Sequence, residues 1–391
     1  MTMSNSMPYK EHEHVSDSAV VPVSETYRFD FTGNGNEYFR IWIINLCLTL
    51  ATLGIYSAWA KVRRLQYFDR NTQLNGVAFN FHGNPMAIFK GRLVALVLFV
   101  AYHYAFGFSK AFGVTVITVL FLTLPWMLRS ALQFRLRNTS YRGVRFYFGG
   151  SLKEAYLNYT PLLAILLLPA ATVAVMPDSK NLVGLEFILL YLSWPVIHAA
   201  MKRYQQSHIV YGDQASTYKA SIFALIKPYI LAFLFAIGIV IVVVIVAVVI
   251  VVIMTIISKS TGATPGFNTG VGIGIVVMVL YAYGVYLVAG PFLQVTIWNL
   301  VWNSTQFPTF TVRSELVFWP YLRLQTKNLI FTLLTLGLYR PFAVVSVYQY
   351  RLAHMSVEGG SFDHIVQSGQ NQQIAATGDS SADFFGIDLS F

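Results

Sequence analysis

Charge and cysteine are both scarce in this chain. Only 11% of its 391 residues are Asp, Glu, Lys or Arg, whereas a soluble globular protein carries about 25%. A single cysteine, Cys47, excludes a disulfide within the chain and a four-thiolate metal site. It lies in an apolar run and reads as a small buried hydrophobe. The first 26 residues lack the apolar core with basic flank of a cleavable secretion signal. Signals of soluble enzymes are missing too. Gly33-Asn34-Gly35 is a lone GxG that reads as a turn, and no phosphate-binding loop occurs. His12 and His14 sit on a polar tail without further metal ligands. No catalytic residue, metal or cofactor is expected.

Acids are rarest in the middle. Residues 27–356 hold 26 bases and 8 acids, while the flanks 1–26 and 357–391 hold the other nine acids with Lys10 as their one base. This divides the chain into a polar acidic tail (1–26), a central membrane region (27–366) and a second acidic tail (367–391). The central bases flank apolar runs, so insertion topology and anionic lipid headgroups account for them and nucleic acid does not.

What is abundant is apolar surface: 55% of residues are hydrophobic and 15% aromatic. A membrane span needs roughly 20 apolar residues. The runs 92–108, 113–129, 160–176, 182–200, 229–257 and 271–290 predict six long transmembrane helices in three hairpins. Weaker runs at 41–60 and 325–346 form two end units. In lipid an isolated segment satisfies its backbone only as a helix, so the expected class is an all-α polytopic membrane protein.

The sequence repeats internally. Residues 38–60, YFRIWIINLCLTLATLGIYSAWA, match 321–343, YLRLQTKNLIFTLLTLGLYRPFA, at an offset of 283. Residues 71–83, NTQLNGVAFNFHG, match 138–150, NTSYRGVRFYFGG, at an offset of 67. The alternation Phe29/Phe31, Phe79/Phe81 and Phe146/Phe148 predicts short strands closed by glycine turns. We expect these small β-strand elements on the cytoplasmic side, joined into a small sheet. If all the strand motifs share one face, the end units are re-entrant, broken at Gly54 and Gly337. The alternative is that each end unit crosses once.

The stretch 29–92, with FDFTGNGNEYFRIWIINL, TLGIYSAWAKVRR, RNTQLNGVAFNFHGNP and FKGR, resembles YjgN-type bacterial inner-membrane proteins, a domain family of unknown function. The resemblance runs from about residue 28 to about residue 365. It implies a multi-pass protein of the bacterial inner membrane, and no reaction, ligand or catalytic residue.

Charge inside a span costs roughly 3 kcal/mol and faces protein or water, which singles out several residues. His103 and Glu186 fall at similar depth and read either as a pair or as wet groups of the outer headgroup zone. His198 lies beside Lys202 and Arg203 at an inner rim. Arg340 follows Gly337 and precedes Pro341: in a re-entrant unit it stands at the tip of a broken helix and reads as an anion ligand, and in a crossing unit it snorkels to an interface. Asn45 and Asn328 are matched, either as interhelical hydrogen bonds or as a polar lining. Lys61, Arg63 and Arg64, with their counterparts Arg135 and Arg137, read as cations for lipid headgroups. Asp30, Asp69, His82 and Asp213 read as solvated turn residues. Three functions remain open: a transporter or channel for ions or small anionic solutes, which needs a polar cavity; a structural or interaction protein of the envelope, which needs a solid core; and a lipid-modifying enzyme, which needs clustered Asp, Glu or His. Oligomeric state and protein partners leave no mark.

Overall fold

The computed structural model describes residues 25–176, 178–261 and 267–360. Nearly all of both expected tail segments lies outside the described residues. Strand β1 (Glu25–Phe31) leads into helices α1 (Gly35–Ala51) and α2 (Ser57–Asn71). Strands β2 (Thr72–Leu74) and β3 (Val77–Phe81) follow, then α3 (Pro85–Phe108) and α4 (Lys110–Asn138). Strands β4 (Thr139–Tyr141) and β5 (Val144–Phe148) precede α5 (Leu152–Val175) and α6 (Lys180–Gln206). Three short strands, β6 (Ile209–Tyr211), β7 (Gln214–Ala215) and β8 (Thr217–Tyr218), lead to the long pair α7 (Ile226–Thr261) and α8 (Phe267–Asn303). Strands β9 (Thr305–Gln306) and β10 (Phe310–Ser314), helices α9 (Phe318–Leu334) and α10 (Arg340–Ala353), and β11 (Met355–Gly359) complete the described residues.

All eleven strands belong to one sheet, in the order β7-β6-β5-β4-β3-β2-β1-β11-β10-β9-β8. Neighbours pair antiparallel, as in Phe29 opposite Leu74, Phe79 opposite Tyr141 and Phe146 opposite Tyr211. The two ends of this order are β7 and β8, which only Ser216 separates in the chain. One segment therefore pairs with β6 on one flank and β9 on the other. The sheet is a nearly closed barrel, and closure removes the free edges that invite aggregation. Ser216 secures the seam. Its hydroxyl accepts from the Ile209 amide (2.9 Å) and donates to the Gln206 carbonyl (2.6 Å), and its amide donates to the Ile209 carbonyl (2.8 Å).

This barrel corrects the all-α class expected from hydropathy. Its strands are two to seven residues long, too short to register beside helices of up to 37 residues. Each strand is stable only through partners supplied by other units. The expected segments 28–32, 78–82 and 144–148 overlap β1, β3 and β5.

The repeats have a local physical basis. After β1, β3 and β5 the chain reads Gly33-Asn34, Gly83-Asn84 and Gly150-Ser151. The Asn or Ser side chain accepts from an amide of the next helix: Asn34 from Glu37, Asn84 from Met86, Ser151 from Glu154. Each glycine lies beneath an aromatic ring. A Cβ at Gly33, Gly83 or Gly150 would meet Phe31, Phe81 or Phe148 at 2.7, 2.3 or 2.5 Å. The hairpin turns Asn75-Gly76 and Arg142-Gly143 hold both residues at positive φ, as a type I′ turn requires.

Helices α3, α4, α6, α7 and α8 contain segments long and apolar enough to span a bilayer. The helix α5 adds a sixth span only as a pair bent by 41°, Leu152–Ile165 and Leu167–Val173. The end hairpins are different. Both begin and end in the barrel, so they return to the face from which they leave. At 17 residues α1 reaches about 25 Å, short of a bilayer core of about 30 Å. Their tips are superposable in backbone: φ is 50° at Leu53 and Leu336, 92° at Gly54 and 93° at Gly337. The Gly54 amide donates to the Thr49 carbonyl and Gly337 to Thr332, each 2.7 Å, the closure that ends a helix in a left-handed residue. Thr52 and Thr335 then accept from the amides of Tyr56 and Tyr339, each 2.9 Å. Leu53 is 95% exposed and Leu336 96%. Such bare leucines on a fully hydrogen-bonded tip suit lipid. Cys47 on α1 is exposed, not buried as expected.

Two measurements check this architecture. Gly150→Ala forces a Cβ into Phe148 and Tyr204 and should destabilise the detergent-solubilised protein by about 1–3 kcal/mol, read as a lowered unfolding midpoint. In a Cys47→Ala background, a cysteine at Gly143 in the β4–β5 turn should react with an impermeant maleimide only from the cytoplasmic side, and one at Ser109 only from the opposite side. The turns remote from the barrel hold only three bases, Lys110, Lys180 and Lys259, and the positive-inside rule predicts a cytoplasmic barrel from that bias. Reversed labelling would refute that orientation.

Candidate functional site

A cavity of about 1060 Å³ opens where the barrel meets the end hairpins. Its two walls differ in chemistry. The barrel contributes rings: Phe29, Phe79 and Phe146 stand 6.3 Å apart in succession, and Tyr141 and Tyr211 stack on Phe79 and Phe146 at 4.7 and 4.6 Å. The period-2 alternation of the strands points these rings to one face. The helices contribute Lys61, Arg64, Arg92, Arg135, Arg340 and Arg351. One carboxylate, Asp69, faces these six cations.

Helical spacing gathers them. On α10, Arg340, Val344, Val347, Tyr348 and Arg351 recur at steps of three and four residues and all line the cavity. On α2, Ser57, Lys61, Arg64 and Phe68 do the same. Arg64 and Arg340 lie within electrostatic reach of the Tyr38 hydroxyl, and among the described residues neither side chain forms a hydrogen bond or salt bridge. Arg92 donates to the Ser57 hydroxyl. Arg351 stacks its guanidinium 4.5 Å from the Trp298 ring centre and donates to Tyr321 (3.1 Å). Its Nε, the indole Nε1 of Trp298 and Oδ1 of Asn45 are buried without a hydrogen-bond partner among the described residues. Such orphans are rare, because each costs about 1–3 kcal/mol.

Asp69 lies in the last turn of α2. Burial raises its carboxyl pKa above the ordinary value of 3.8, against the opposing pull of Arg135 and of a hydrogen bond from Thr139 (3.4 Å). It is buried, not the solvated turn residue expected.

The other candidates scatter. Asn328 is buried and donates to the Ser346 hydroxyl (3.0 Å), an interhelical bond, whereas its counterpart Asn45 lines the cavity. His103 is exposed on α3 and packs against Phe99 and Tyr104. Glu186, on α6, accepts from Thr172 (2.8 Å) instead, so the two do not pair. His198 and Trp194 both bond the Tyr229 hydroxyl at 2.9 Å, fastening α6 to α7. Of the expected headgroup cations, Lys61, Arg64 and Arg135 line the cavity. Arg63 is exposed over the Tyr56 ring, and Arg137 is half-buried outside the cavity wall.

A second hollow of about 390 Å³ lies against β3–β5 and includes His82. Burial, with Arg145 and Arg70, lowers that imidazole's pKa, and Ser140 bonds it at 2.9 Å. Among the described residues no three His, Cys, Asp or Glu side chains gather where they could hold a metal.

Sequence reasoning missed Arg351, Trp298, Arg92 and the role of Asp69. The 11-residue step from Arg340 to Arg351, three helical turns, was the available signal.

The raised Asp69 pKa has a pH signature. A carboxyl favoured in its protonated form stabilises the fold fully below its ordinary pKa, and this stability is lost as pH rises through the raised value. The unfolding midpoint should therefore fall as pH climbs from about 4 toward neutrality, and Asp69→Asn should flatten that part of the profile. Parallel profiles for the two proteins would contradict the assignment.

Residues 26–384 match the family described as "Bacterial protein of unknown function (DUF898)", a match that runs past the expected end of the membrane region at 366. Inner membrane protein YjgN of Salmonella typhimurium strain LT2 is 30% identical over 168 residues, 41% of this chain and 42% of that protein. Inner membrane protein YjgN of Escherichia coli strain K12 is 31% identical over 133 residues, 33% of this chain and 32% of that one. The aligned stretch thus spans less than half the length of these curated relatives. No solved structure matches the chain. With its spans, and with relatives bearing that name, the chain is a multi-pass inner-membrane protein and belongs to this bacterial family of unknown function.

Proposed function

We propose that this protein is a transporter or channel for anionic solutes, which bind in the cavity between the end hairpins and the barrel. One observation carries the reading: six cations and one carboxylate line a cavity of about 1060 Å³. Like charges held near low-dielectric walls repel, and a resident anion relieves that repulsion. A structural protein of the envelope needs a solid core, and a hollow of this size lined by exposed and half-buried cations is not one. Ser57 and Arg340, the first helical residues after the two broken tips, line the cavity, and helix breaks lie beside substrate sites in transporters.

Proteoliposomes test it. Vesicles bearing the wild-type protein should take up radiolabelled phosphate or chloride faster than protein-free vesicles. The double variant Arg64→Ala, Arg340→Ala should lower that uptake at least about tenfold, the loss expected when charged hydrogen bonds disappear. Equal rates for wild-type and empty vesicles, with every anion tried, would sink the reading.

A further inference from the structure

The cavity is far larger than a small anion needs. A water occupies about 30 Å³, and an inorganic anion displaces only a few, so most of about 1060 Å³ and the whole aromatic wall stay uncovered. Typical small-molecule pockets are roughly 300–1,000 Å³. The aromatic wall has another peculiarity. Phe29, Phe79 and Phe146 are packed against the core but only half-buried. They line the hollow of a barrel whose sheet is already complete without them as cover. Arg351 and Trp298 lie where the two chemistries meet. Trp298 belongs both to the cluster behind the strands and to the cavity wall, and it carries the stacked guanidinium.

We infer that the ligand of this cavity is an amphiphilic anion, with a phosphate- or carboxylate-type head and an apolar tail. The inference rests on the anion reading above and names its substrate class. The head lies against the guanidinium groups of Arg64, Arg340 and Arg351, which line the cavity. The tail extends into the barrel along Phe29, Phe79 and Phe146, covering rings that the protein itself leaves bare. A guanidinium stacked on an indole is oriented by that stacking, so the head site is built before the ligand arrives.

The experiment is a homologous series. The full chain, purified in dodecyl maltoside, is titrated calorimetrically with inorganic phosphate, then butyl, hexyl and octyl phosphate, each corrected for the heat with empty micelles. Each buried methylene should tighten binding about fourfold, so each step of two methylenes should gain at least about tenfold. Arg351→Gln should weaken every member alike. Phe79→Asn, which makes the tail wall polar, should flatten the chain-length gain. If either variant fails to fold, the wild-type series still decides. A flat series in which inorganic phosphate binds as tightly as octyl phosphate overturns the amphiphile and leaves the anion reading standing. No binding by any member overturns both. Displacement of bound octyl phosphate by dihexanoylphosphatidate supports a membrane lipid as the source. Failure to displace supports a single-chain amphiphile from the aqueous side.

Discussion

Every helical hairpin of this chain leaves one strand of a single sheet and returns to the next, and the sheet has no free edge because residues 214–218 pair on both flanks. This closure is the constraint on which the rest depends. It obliges all hairpins to begin and end on one face, whatever their length. It turns the end units back at Gly54 and Gly337, and brings β1 beside β11. That last pairing packs α1 against α10. The first and last units of the chain thereby enclose the cavity together.

The cavity follows from this enclosure. Cations on α2, α4 and α10 line it, Lys61, Arg135 and Arg351 half-buried and Arg64 and Arg340 exposed. Asp69 shows the consequence for protonation, since its carboxyl is raised by burial even with Arg135 nearby. The half-buried rings of β1, β3 and β5 form the opposing wall. A polar half and an apolar half of one cavity arise from two secondary structures meeting, each with its own periodicity: steps of three and four on the helices, two on the strands.

The two end hairpins descend from one pattern, and their tips agree to within a degree in φ at the central Leu-Gly pair. They differ in what they present. The buried Asn328 bonds Ser346, but position 63, its partner's counterpart, is an arginine that faces outward, so Asn45 has no such neighbour and turns to the cavity. Position 340 is arginine where position 57 is serine, and Ser57 accepts from Arg92 of the next hairpin. A repeated frame thus carries a cavity that is not itself symmetric.

The amino-acid order alone determined the membrane class, the six apolar runs that became α3 to α8, the repeats with their Thr-Leu-Gly motifs, and Arg340 as a residue of interest, while leaving open whether the end units re-enter or cross. Each is a local property: hydropathy over one helix length, a glycine after Thr-Leu, a motif recurring at fixed offset. Tertiary structure alone decided the barrel, the gathering of Lys61, Arg64 and Arg135 at the cavity, the burial of Asp69, the parting of His103 from Glu186, and the meeting of Arg351 with Trp298. These depend on strands of a few residues finding partners as distant as β1 and β11. Side chains 53 residues apart meet only once those pairings form. No window of sequence holds that information, because the free energy that selects it comes from contacts between units and not within them.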